Sequence, residues 1–188
     1  MTDDLAVLQT IRLKGRVAPA DLGVVLGADC VAVVERLVVD GVLAGGPAVR
    51  LAPAGRTRLT ELLAAERAAV DADAAADVYA DFVPINADFK AALSTWQLVR
   101  EEGTPAAAAE VLARVEDVHA RVVPVIAAAA GLVGRLARYA DRLATALRLA
   151  REGDLTGLSR PLVDSYHTVW FELHEELIGL AGRTRDAD

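Results

Sequence analysis

The stretch that most constrains the fold is Leu162 to Leu177, which holds three of the eight aromatic residues and two of the three histidines. Wound as a helix, it places Val163, His167, Trp170, Phe171, His174 and Ile178 on one face. A second, narrower apolar strip carries Leu162, Val169, Leu173 and Leu180. A helix that is apolar on two sides needs neighbours on both, so the pattern predicts an element wedged inside a helical bundle.

The rest of the chain is built from Ala, Val, Leu and Arg. Its 188 residues, 54% of them hydrophobic, are enough to bury a sizeable core. No run of about 18 apolar residues occurs, so no membrane partner is expected. The acidic start Met1-Thr2-Asp3-Asp4 lacks the basic region of a signal peptide, and Cys30 is the single cysteine. A cytoplasmic location is the expectation. The net charge of −7 is unevenly spread. Residues 1–60 carry seven Lys/Arg against six Asp/Glu, whereas residues 61–188 carry thirteen against twenty-one. Any duplex DNA contact must therefore come from the near-neutral first segment.

Read in order, Asp3–Lys14 forms a short helix stopped by Gly15, and Pro19 opens a second helix through Leu26. Gly27-Ala28-Asp29 makes a turn, with Asp29 a good N-cap for a third helix from Cys30 to Asp40. Gly45-Gly46-Pro47, between Val42-Leu43-Ala44 and Val49-Arg50-Leu51, signals a β-hairpin. Three helices and a hairpin predict a winged helix-turn-helix over residues 1–60, followed by an antiparallel helical bundle over residues 61–188: a mainly α fold. A long helix over about 57–81 is expected to join the two. Pro84 and Pro124 should kink or break their helices. Arg160-Pro161 is expected to open the final helix, and the tail from Gly182 to Asp188 to fray.

The run from Arg36 to Leu43, followed by Val49-Arg50-Leu51-Ala52-Pro53-Ala54-Gly55-Arg56, resembles MarR-type winged-helix regulators. The resemblance covers about the first sixty residues. It implies a third helix that enters the major groove and a hairpin on the phosphate backbone; uncovered valines and the Ala-rich stretch make a homodimer the expectation, which two-fold operator recognition also requires. The residues available for DNA are Arg12, Lys14, Arg16, Arg36, Arg50, Arg56 and Arg58. Base edges are read by side chains that can donate or accept hydrogen bonds, yet the third helix is almost all apolar. Val31, Val38 and Val39 are left without cover. The alternative use of such a module is protein binding.

The segment Phe82-Val83-Pro84-Ile85-Asn86 with Trp96-Gln97, together with the run from Asp164 to Glu175, is similar to an actinobacterial helical module. That module follows a winged helix and occurs alone and near or within pyruvate phosphate dikinase-like proteins. The similarity implies a dikinase-like partner; the nucleotide-binding and phosphohistidine elements of a dikinase are not in the sequence.

Two aromatic faces, one around Asn86 and one around His167 and His174, admit two readings. They pack on each other as core, or they wall a pocket for a small-molecule effector. The pocket reading names Phe82, Asn86, Phe89, Trp96, Gln97, Tyr166, His167, Trp170 and His174. A third reading is a bundle enzyme using His167 and His174, with Glu116/His119 and Asp164/His167 as acid–histidine pairs at the spacing of metal-binding bundles. His167 and His174 lie about 10 Å apart along a helix and cannot share one ion. The sequence names no cofactor. Arg135, Arg138 and Arg142 read as a solvated row, and Asp164, Glu172, Glu175 and Glu176 as groups facing solvent or those arginines.

Overall fold

The computed structural model describes residues 3–102, 104–152, 158 and 164–183, with only the backbone of residues 100–102. Among these residues the chain is mainly helical, with eight α-helices and one two-stranded antiparallel sheet. It divides into two compact units, Met1–Ala69 and Val70–Asp188.

The first unit runs α1 (Asp4–Lys14), α2 (Pro19–Leu26), α3 (Val31–Val39), β1 (Leu43–Ala44), β2 (Arg50–Leu51) and α4 (Pro53–Ala68). Asp3 caps α1 by accepting from the Leu5 amide, and Gly15 closes it at a positive φ. The third helix starts one residue later than its sequence suggests: Cys30 takes the cap position, while the Asp29 carboxylate still accepts from the Val31 amide. The hairpin pairs Leu43 with Leu51 and Ala44 with Arg50. A further antiparallel bridge joins Val49 to Val17 from the α1–α2 connection. Leu8, Ile11, Leu22, Val34, Leu37, Leu43 and Leu59 fill the core. Gly55 is required here, because a Cβ would meet the Val42 carbonyl oxygen at 2.1 Å.

The expected continuous helix over 57–81 is two helices. The chain leaves the helix at Ala69, and the Asp71 carboxylate accepts from the amides of Asp73 and Ala74 to start the next one. An aspartate that satisfies two orphan donors makes a better helix start than continuation through Ala69 and Val70.

The second unit consists of α5 (Ala72–Glu102), α6 (Pro105–Leu132), a 3-10 turn over Gly134–Ala137, α7 (Arg138–Arg151) and α8 (Tyr166–Leu180). Contacts between neighbouring helices run in opposite directions. Asp88 meets Arg121, Glu116 meets Arg151, Arg135 meets Glu176, and Tyr79 meets His174. This is an up-down-up-down bundle in which α8 closes on both α7 and α5.

Neither internal proline breaks its helix. Pro84 and Pro124 are exposed, as are Ala80 and Ala120 four residues before them, so water can serve the carbonyl that each proline leaves unpaired. The final helix opens at Tyr166. Asp164 and Ser165 are non-helical, and the Ser165 hydroxyl caps by accepting from the Thr168 amide. The expectations for Arg160-Pro161 and for the last five residues lie outside the described residues. Among the described residues, no helix is long and apolar enough to cross a membrane.

Candidate functional site

Two helix stripes of the same spacing meet in the second unit. Asn86, Phe89, Lys90 and Leu93 on α5 follow the i, i+3, i+4, i+7 pattern, as do His167, Trp170, Phe171 and His174 on α8. Residues at these offsets share one helix face. The two faces line an open groove of about 280 Å³, close to the lower end of the ~300–1,000 Å³ typical of small-molecule sites.

The groove floor is aromatic. The Phe89 and Trp170 rings lie 4.4 Å apart between centroids, and Phe82 lies 5.2 Å from Trp170. Tyr166 stands behind them, 5.5 Å from Phe89 and 6.0 Å from Trp170. The Trp170 indole N–H donates to the Asn86 side-chain oxygen at 2.9 Å. That bond fixes the amide orientation, because an indole N–H can only donate, and leaves the Asn86 NH2 as its remaining polar end. His174 approaches the Tyr79 hydroxyl at 3.4 Å and lies beside Phe82. His167 is exposed, stands 6.4 Å from Phe89, and has its pKa lowered by partial desolvation. Lys90 is exposed, and its ammonium makes no hydrogen bond or ion pair with any described residue.

Of the nine pocket residues named from the sequence, Asn86, Phe89, His167, Trp170 and His174 line this groove. Phe82, Tyr166 and Trp96 are buried, the first two packed directly behind the lining aromatics. Gln97 is exposed and is not part of the lining. Lys90, Leu93 and Phe171 are lining residues absent from that set, although the helical spacing from Asn86 and His167 points to each of them.

The other side of α8 overturns the reading of a solvated arginine row. Arg135 and Arg138 are mostly buried and pair with Glu176 at 2.6 and 3.5 Å; Arg142 pairs with Glu172 at 2.6 Å and with Asp164 at 3.0 Å. The Tyr139 hydroxyl donates to the same Glu176 oxygen at 3.2 Å, and burial pushes the Tyr139 pKa up. Burial by itself would lower the Arg142 pKa, but Glu172 and Asp164 outweigh it and hold the guanidinium charged.

The acid–histidine pairs are also committed elsewhere. Glu116 binds Arg151 at 2.6 Å, Asp164 binds Arg142, and His119 Nδ1 lies 3.2 Å from the Tyr166 hydroxyl. Desolvation first, and Arg151 second, lower the His119 pKa. Among the described residues, no group of three His, Cys, Asp or Glu side chains could hold a metal. Cys30 is buried, and burial raises its thiol pKa.

In the first unit, the solvent face of α3 carries Val31, Ala32, Glu35, Arg36 and Val39, with Val39 85% exposed. Val38 is half-buried against Gly45. Arg36 pairs with Asp4 and Asp40. Arg12 donates to Gln9, and Arg58 pairs with Glu61 at 3.5 Å. Lys14 is half-buried and Arg56 is exposed at the start of α4. Because Val17 bridges Val49, Arg16 and Arg50 fall opposite each other on the hairpin edge, both exposed. No family model, curated protein or solved structure matches this chain.

Proposed function

We propose that this chain is a non-enzymatic regulatory protein whose helical unit binds a small organic molecule in the α5/α8 groove. The observation that carries this reading is the convergence of two equally spaced helix faces on one open, aromatic-floored groove with polar groups at its rim. A packed core would have closed over Phe171, which is 38% exposed there.

The output belongs to the first unit, which we read as a winged helix from its order of elements and its resemblance to MarR-type regulators. The α3 face favours a protein partner over base readout. Its one guanidinium is engaged by two carboxylates, and the remaining side chains are valines, an alanine and a glutamate. The similarity of the helical segment to modules near dikinase-like proteins makes such a protein the partner to test. A second reading, a DNA-binding transcriptional regulator acting as a homodimer, is favoured by the Arg16–Arg50 pair, which suits backbone phosphates.

Two measurements test these readings. Small organic molecules screened by thermal shift should yield ligands whose affinity falls in Phe171→Ala and His167→Ala; hits indifferent to both variants overturn the groove. Titration of duplex from the protein's own upstream region across a salt series decides the output. Steep salt dependence that is lost in Arg50→Ala establishes DNA, and no binding at low salt leaves the protein partner.

A further inference from the structure

We infer that the groove selects a small organic anion, a flat apolar body bearing one carboxylate or a comparable acid group. This inference rests on the groove being a ligand site and names the chemistry that the site would take.

The argument is one of sign. Of the eight lining residues none is acidic. The groove offers one cation, an amide NH2 and two imidazole rings that can each donate from one nitrogen. The Lys90 ammonium has no partner among the described residues, and the Asn86 NH2 is left over once its oxygen accepts from Trp170. The His167 ring makes no hydrogen bond with any described residue and lies beside the Phe89 ring. The contrast with the rest of the bundle is informative. Arg121, Arg135, Arg138, Arg142, Arg148 and Arg151 each meet at least one carboxylate, whereas Lys90, like Arg114 and Arg183, meets none among the described residues, and of these three Lys90 is the one that lines the groove. A carboxylate over Trp170 and Phe89 would give Lys90 a counter-ion, accept from Asn86 and His167, and bury its apolar body against Leu93 and Phe171.

Volume selects the size of the occupant. About 280 Å³ accommodates one or two fused rings with an acid group and is small for a helix of a partner protein.

Calorimetric titration of the full chain with 2-naphthoate, 2-naphthamide and 2-naphthylmethylammonium tests the inference. These three probes share one ring system and differ in charge. The expected result is that naphthoate binds at least about ten-fold more tightly than the amide, with the cation weakest. Lys90→Gln should bring naphthoate down to the level of the amide and leave the amide unchanged. Equal binding of acid and amide, or equal loss of both in Lys90→Gln, overturns the anion preference while the groove stands as a ligand site. If none of the probes binds and an acidic amphipathic Leu/Glu peptide does, the groove belongs to a protein partner and both readings fall.

Discussion

The two sides of α8 solve the same problem in opposite ways. Toward α7, Glu172 and Glu176 are buried, Glu172 against the Arg142 guanidinium and Glu176 against Arg135, Arg138 and the Tyr139 hydroxyl. Toward α5, the helix presents Trp170, Phe171 and two histidines to a groove whose one full cation, Lys90, has no counter-ion among the described residues. A buried charge is tolerated only when its partner is built in, so the α7 side is closed electrostatically and serves the fold. An unmatched cation at an open aromatic groove costs little while water reaches it. The difference separates charges paired inside the bundle from one that is left to solvent.

The largest expected effect lies on the closed side. Glu176→Leu takes the carboxylate away from Arg135 and Arg138 and leaves the Tyr139 hydroxyl without its acceptor. Chemical denaturation should show a loss of about 3–5 kcal/mol. A loss below about 1 kcal/mol would mean that water reaches the seam, and the contrast between the two sides would collapse.

Next comes the groove floor. Trp170→Phe keeps most of the ring but removes the indole N–H, leaving the buried Asn86 oxygen without its donor. The expected cost is about 1–3 kcal/mol by the same measurement. Trp170→Phe combined with Asn86→Leu should cost less than Trp170→Phe alone, since the orphaned acceptor is then gone as well.

A smaller effect follows from pH. His119 and His167 have folded-state pKa values below the ordinary 6.5, so between the folded and unfolded values the unfolded chain binds more protons. Their contribution to stability is complete above pH 6.5 and is lost as the pH falls through the folded values. Unfolding midpoints measured from pH 7.5 downward should therefore decline, and His119→Gln should flatten part of the decline. An unchanged slope in that variant would assign the acid sensitivity to other groups.

The smallest effect is the sharpest contrast. Lys90→Gln should leave stability within about 0.5 kcal/mol of the parent, because no described residue depends on that ammonium. A clear loss would place Lys90 with the structural charges, and the asymmetry of α8 would have to be redrawn.

Much of this was legible in the chain itself. Helix periodicity, Gly15, Pro19 and the Gly45-Gly46-Pro47 turn determine α1 to β2 within a residue or so, because local conformational preference and local burial agree there. The two stripes Asn86–Leu93 and His167–His174 follow from helical spacing, and so does the placement of α8 between two neighbours. Asp71 and Ser165 were available as capping signals, and each outweighs the apolar pattern running past it.

What only the tertiary structure decided is the meaning of the charges. Arg135, Arg138 and Arg142 repeat at helical spacing whether they face water or a neighbouring helix. Their role depends on Glu172 and Glu176, some thirty to forty residues away in sequence. The same holds for Lys90, whose isolation is a property of what surrounds it. A side chain's polarity is written in the sequence, but its desolvation and its partners are pairwise quantities that exist only once the helices have packed.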